Sequence, residues 1–429
     1  MLQLSLEHSD VDQNNNQDKI SSYSERIKQV RGTGTYDQPE CSLKLPDDQT
    51  LLSNVNDLVK QKVTESLKYS IVIGIGGSNL GTKAIYDARF GYRDLMEPER
   101  FPKMLFAETT DPEWLTALTA LLRTIKSVDE VLITVASKSG GTTETLANFE
   151  IVMQVLKTAF GDVRERVVVI TDDDSNFMQA AQKQNISCLA MPKLVGGRYS
   201  VLSAVGLFPL ASVGIDIEQL RKGASELLDH CLQENNMAAA SANTLFIQSG
   251  QGKTINDNFF FHPELESLGK WYRQLMGESV GKERSLDDQI VHAGITPTVS
   301  LGSTDLHSVG QLYLGGPKDK LTTFVASAKS EELKVPSDRV FSNLVPMITN
   351  KSASQIMHAI LEGVKIAYRH AELPFMEITL DALDEHSLGS FLQFKMLEMM
   401  YLGVLLNVNS FDQPNVESYK IETKRLLSE

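Results

Sequence analysis

Short apolar runs separated by helix-patterned stretches recur along most of this chain, and that alternation limits the fold more than any other feature. Residues 70–74, 103–107, 131–135, 167–171 and 187–191 read as buried strands. The gaps hold helical patterns such as Trp114, Leu115, Leu118, Leu121, Leu122 and Ile125. After a helix-rich stretch, residues 201–249, a second series follows at 254–261, 296–301, 321–325 and 374–380. Strands that alternate with helices point to parallel pairing, with both sheet faces covered. The expectation is an α/β protein with two doubly wound parallel sheets, a duplicated unit without a clean sequence repeat. At 429 residues the chain has the length for two domains.

The ends read differently. Residues 1–45 look like a peripheral arm with a short helix near 20–30, and Leu51, Leu52, Val55, Leu58, Val59 and Val63 then make a helical face. Near the C-terminus, Leu392, Phe394, Met396, Leu397, Met400, Tyr401 and Leu405 are too apolar for a surface helix. They predict a buried helix or an oligomer contact. The net charge of −14 argues against nucleic acid or an anionic membrane as a partner. A phosphate site in such a chain must be built locally, from a few basic residues and backbone dipoles. No apolar run reaches membrane-spanning length, and the polar opening does not read as a secretory signal. Cys41, Cys188 and Cys231 are far apart and read as free thiols, which fits a cytoplasmic protein. The histidines show no paired ligand spacing, so no metal site is expected.

Turns at strand ends carry the chemistry. Ser137, Lys138, Ser139, Gly140, Gly141 and Thr142 follow the run at 131–135 and precede a helical pattern. There, backbone N–H groups and the positive end of a helix dipole can hold an anion, although a plain N-cap uses the same residue types. The turn Gly74, Ile75, Gly76, Gly77, Ser78 has Asn79 where a dinucleotide fingerprint needs glycine. Its open backbone suits a sugar phosphate better than NAD, and close strand–helix packing explains the segment equally well. Gly250–Lys253 imitates a P-loop tail, but the first glycine of that motif would fall at Ile247. In Gly196, Gly197, Arg198, Tyr199, Ser200 the glycines admit a ligand to the backbone and Arg198 offers fixed donors; a surface arginine in an ion pair is the competing reading. Glu278 ends an amphipathic helix between Gly277 and Gly281, a place for a base or for an ordinary surface carboxylate. His307 follows a strand, facing a pocket or solvent.

In their order and company these motifs resemble those of the phosphoglucose isomerases, in the compact bacterial form. The resemblance runs from about residue 69 to residue 420. It rests on Gly-Ile-Gly-Gly-Ser at 74–78, Ser-Lys-Ser-Gly-Gly-Thr-Thr-Glu-Thr at 137–145, Gly-Gly-Arg-Tyr-Ser at 196–200, Glu-Ser-Val-Gly-Lys at 278–282 and Phe-Asp-Gln-Pro-Asn-Val-Glu-Ser-Tyr-Lys at 411–420. It implies two sugar-isomerase domains, at 68–225 and 226–385, with an N-terminal arm and helices at 1–67 and C-terminal helices at 386–429 packing back on the site. It further implies a cofactor-free homodimer that interconverts glucose 6-phosphate and fructose 6-phosphate.

The resemblance also implies roles for particular residues. Gly77, Ser78, Ser137, Ser139 and Thr142, with Lys138 beside them, match phosphate-holding positions, and Gly197 joins the substrate-binding set. Glu278 matches the base that moves a proton between C2 and C1, and Arg198 the group near the enediolate oxygens. His307 and Lys420 match the groups assigned to ring opening; Glu144, Gln274 and Gln413 match polar contacts to the sugar. Two positions depart from the pattern: Lys193 replaces a small acidic or polar residue, and Asn415 replaces a glycine, as the next-best residue for a positive φ. A phosphosugar sensor on the same fold would need the Ser/Thr loop but not Glu278, Arg198, His307 and Lys420 together. An isomerase of mannose or amino-sugar phosphates would differ in pocket shape.

Overall fold

The computed structural model describes residues 2–91, 93–233 and 236–429. Strand β1 (Leu2–Ser5) opens the chain, and the first sheet then takes β2 (Tyr69–Ile73), β3 (Lys103–Ala107), β4 (Val131–Ala136), β5 (Val167–Asp172) and β6 (Ser187–Met191). Their order is β3-β2-β4-β5-β6, all parallel. Every residue of β4 is buried, which is why it reads as a continuous apolar run without alternation. The second sheet is formed by β7 (Ile255–Phe260), and, past the hairpin β8 (Lys282–Arg284) and β9 (Ile290–Ala293), by β10 (Thr296–Leu301), β11 (Lys320–Ser327) and β12 (Phe375–Leu380). It runs β10-β7-β11-β12, with β1 antiparallel on the far edge. In both sheets the first parallel strand lies between the second and the third. The chain therefore leaves the first strand toward one edge and the third strand toward the other, and a crevice opens between the carboxyl ends of these two strands.

The strands expected from the sequence all form, within a residue or two of their expected bounds. The peripheral reading of residues 1–45 needs correction. Leu2 is buried where β1 pairs with β12, and Cys41, Leu43 and Leu45 are fully buried in a 3-10 turn, Cys41–Asp47. The expected buried C-terminal helix is Glu385–Leu406, enclosed on nearly all sides by the helices Ile217–Cys231, Met237–Gly250 and Glu266–Val280. Gly223 and Gly389 make that packing close, since a Cβ on either would overlap the backbone of the facing helix. Within this helix, Lys395 and Glu398 form a fully buried ion pair at 2.9 Å. Tyr272 Oη and Ser241 Oγ donate to the same carboxylate at 2.9 and 2.6 Å. Tyr272 belongs to Glu266–Val280, so this pair anchors the helix that carries Glu278. Among the described residues no helix is long and apolar enough to cross a membrane.

Candidate active site

The site begins where β2 stops. Gly76, at φ +60°, turns the chain into the 3-10 turn Gly76–Ser78, and the helix Leu80–Arg89 follows. Asn79, where a fingerprint glycine would stand, is fully buried and donates to Glu108 Oε2 at 3.0 Å. Gly77 rests on Gly197, and a Cβ at Gly77 would run into the Gly197 carbonyl. Ser200 Oγ closes this contact by donating to Gly77 O at 3.2 Å. The two glycine turns are therefore locked back to back.

The neighbouring strand, β4, delivers the Ser/Thr loop. Ser137 is buried, its N–H bonds Ile170 O at 3.1 Å, and its Oγ lies 3.1 Å from Thr142 Oγ1. Gly140 N donates to Ser137 O at 3.2 Å, and Gly141 N to Ser139 Oγ at 3.3 Å. Thr142 is the N-cap of the helix Thr143–Phe160, but its side chain makes no capping hydrogen bond. First-turn N–H groups are thus left to point at an anion. Glu144 lies half-buried in that first turn. Burial, opposed by Asp172, holds the Lys138 ammonium below the usual lysine range, and the charges of Arg198 and Lys193 push it the same way. Lys193, the departure noted in the sequence, thus adds positive charge beside this loop. The loops after β2 and β4 are the two lips of the first sheet's crevice.

Across from them, Arg198 is 1% exposed and uses its whole fork. Nε donates to Ser279 Oγ at 2.8 Å; Nη1 donates to Glu278 Oε2 at 3.2 Å and to Gln413 Oε1 at 2.8 Å. Nη2 donates to the carbonyls of Ser410 at 2.5 Å and Asp412 at 3.1 Å. A lysine could not make this set of bonds. Glu278 Oε1 accepts from Gln274 Nε2 at 3.1 Å, one helical turn back. Gln274 in turn reaches the Gly76 turn: a Cβ there would lie 3.0 Å from its Nε2. Its Oε1 is buried without a partner. A carboxylate, a permanent cation and an unsatisfied amide oxygen thus converge beside an anion-ready crevice. Among the described residues no three His, Cys, Asp or Glu side chains gather as a metal site would need.

A family model described as phosphoglucose isomerase matches residues 49–429. The chain belongs to the phosphoglucose isomerase family. It is 33% identical over 376 residues to a glucose-6-phosphate isomerase of Carboxydothermus hydrogenoformans, covering 86% of this chain and 80% of the relative. One from Methanocaldococcus jannaschii is 32% identical over 378 residues, covering 87% and 88%. Among solved structures, a hypothetical protein from Thermus thermophilus aligns over the full length of both chains, with a TM-score of 0.85 and 28% identity. A glucose-6-phosphate isomerase from Chlamydia trachomatis shares the fold at a TM-score of 0.81 and 20% identity, covering 100% of this chain and 88% of its own.

Not every residue matched to the family's pattern meets Glu278. Helix Glu266–Val280 returns from the carboxyl end of β7 to the amino end of β10, where Lys282 pairs with Ala293. His307 lies beyond the other end of β10, exposed in the turn Thr304–His307. A strand of six residues, roughly 20 Å, therefore separates the two within one chain. Lys420 is on the helix Glu417–Leu427, which buries no residue, and its Nζ pairs with Glu417 at 2.7 Å. Asn415 is not among the residues with positive φ; its Nδ2 donates to Glu283 Oε2 at 3.0 Å, so the backbone reason for an asparagine there is replaced by a side-chain bond. Sequence reasoning missed Ser279 and Lys282 as supports of the site. Both lie in the Glu-Ser-Val-Gly-Lys segment, next to the residue it did single out.

Proposed function

We propose that this chain interconverts glucose 6-phosphate and fructose 6-phosphate by ring opening and proton transfer through a cis-enediolate. The observation that carries the reading is the pairing of Glu278 with the buried Arg198, set against the Gly76–Gly77 turn at the crevice of the first sheet. Phosphate is held by Ser137, Ser139, Thr142, Ser78 and the N–H groups around Gly77, with Lys138 alongside. Glu278 takes the proton from C2 and returns it to C1 on the same face of the sugar. Arg198 faces the oxygens on which negative charge develops, and a preorganised donor of this kind is worth about 10²–10³ in rate. Gln274, through its free Oε1, joins Gln413, Glu144 and Gly197 in orienting the open chain.

Ring opening needs an acid at the ring oxygen, and the topology keeps His307 away from Glu278 within one chain. The reading therefore includes a homodimer in which the second copy supplies His307, with Lys420 closing from the C-terminal helix. A cytoplasmic setting fits such an enzyme. A phosphosugar sensor would have no use for a carboxylate held against a buried guanidinium. The test is a coupled assay of the purified protein, following glucose 6-phosphate formed from fructose 6-phosphate. Absence of turnover, with phosphosugar binding retained, would favour the sensor.

A further inference from the structure

Three of the five groups that accept from Arg198 belong to one short loop: Ser410 O, Asp412 O and Gln413 Oε1. Ser410 is tied inward, its Oγ donating to Met399 O at 3.1 Å. The Asp412 end is tied by Lys282, whose Nζ donates to Asp412 O and, at 2.9 Å, to Asp412 Oδ1. The Asp412 carbonyl thus accepts from Lys282 and Arg198 together. Two cations converging on one carbonyl are tolerable because the Asp412 carboxylate lies on the Lys282 side. The Lys282 side chain is only 5% exposed. Burial pulls its ammonium below the usual lysine range, Asp412 opposes that shift, and Arg198 adds to it. An apolar side chain would fill this space without the desolvation cost of an ion pair. It could not aim the Asp412 carbonyl.

We propose that Lys282 is a positioning residue for Arg198, acting through the Ser410–Gln413 loop. Lys282 follows Glu278 by one turn of chain, with Ser279 between them. The base, the support under Arg198 Nε and the fastener of the loop behind Nη2 therefore shift as one piece. The consequence is that guanidinium and carboxylate keep their mutual geometry when the site opens to admit a sugar. This inference rests on the isomerase reading above.

The test uses the full-length protein and the sugar-phosphate assay. In Lys282→Met, kcat falls about tenfold to a hundredfold, the scale of a misplacement near 1 Å. KM changes less than about threefold, and inhibition by inorganic phosphate is unchanged because the 137–142 loop is untouched. In a Gln413→Ala background the same substitution costs clearly less, since the two act through one loop. A kcat within twofold of wild type overturns the proposal, as do losses that simply multiply in the double variant. A phosphate inhibition constant that rises in step with the loss of kcat points to general disruption and also overturns it. If Lys282→Met does not fold, Asp412→Asn, at a half-exposed residue, is judged by the same criteria. A wild-type protein that does not turn over sinks the isomerase reading and this inference with it; an active wild type matched by the variants sinks this inference alone.

Discussion

On the proposed reading Glu278 and Arg198 divide the work, because one can lose its charge and the other cannot. In Glu278→Gln the amide still fills the space between Gln274 and Arg198 but cannot accept a proton. We expect kcat to fall at least about a hundredfold while sugar-phosphate binding, measured by calorimetry, stays within a fewfold of wild type. Near-normal turnover would remove Glu278 from the base role. The hydroxyls of Ser137 and Thr142 face each other at 3.1 Å in the loop after β4. Removing both, in Ser137→Ala/Thr142→Ala, weakens inorganic phosphate as an inhibitor by about tenfold or more, taking roughly 1 kcal/mol for each hydrogen bond. An unchanged inhibition constant would mean that the loop does not hold the anion.

At the scale of elements, legibility followed burial. Strands β2, β4 and β5 are covered on both faces, so their apolar runs stand out. Leu2–Ser5 is four residues long and lies at a sheet edge with only Leu2 buried, too short for a period to show. The β8–β9 hairpin was invisible for a related reason: Ile290 and Val291 are exposed, so no buried apolar face is written into it. In the site, Gly77, Arg198 and Glu278 were legible because glycine turns and a helix end leave motifs. The carbonyls of Ser410 and Asp412 were not, because any residue can present a carbonyl and only the fold aims it. The dense apolar residues of Glu385–Leu406 announced burial, but nothing in the sequence showed that Lys395 and Glu398 would be buried with them as a pair. Lys395→Met strands a buried carboxylate and should cost about 3–5 kcal/mol in chemical denaturation. The double change Lys395→Met/Glu398→Leu should recover much of that. If the single variant is as stable as wild type, the pair does not anchor the Glu278 helix.

For the whole molecule, the decisive fact is that the second sheet separates His307 from Glu278. On the proposed dimer, Glu278→Gln and His307→Ala are each inactive as homodimers. Unfolding and refolding an equal mixture gives heterodimers in which one site has both native residues. About a quarter of wild-type activity should then return, half of the dimers with one working site of two. Failure to recover any activity, with heterodimers demonstrated by mass, would put ring opening on Lys420 or on another group of the same chain.

The ion pair at the end of the Glu266–Val280 helix has one more implication. Before substrate arrives, Arg198 already faces one unit of negative charge, on Glu278. If that carboxylate takes the sugar's proton, as proposed, the unit it gives up reappears on the sugar oxygens. On this route the guanidinium is never left facing a neutral neighbourhood. The protein is then spared the cost of rearranging its dipoles at the top of the barrier, because the electrostatic bill was settled when the chain folded.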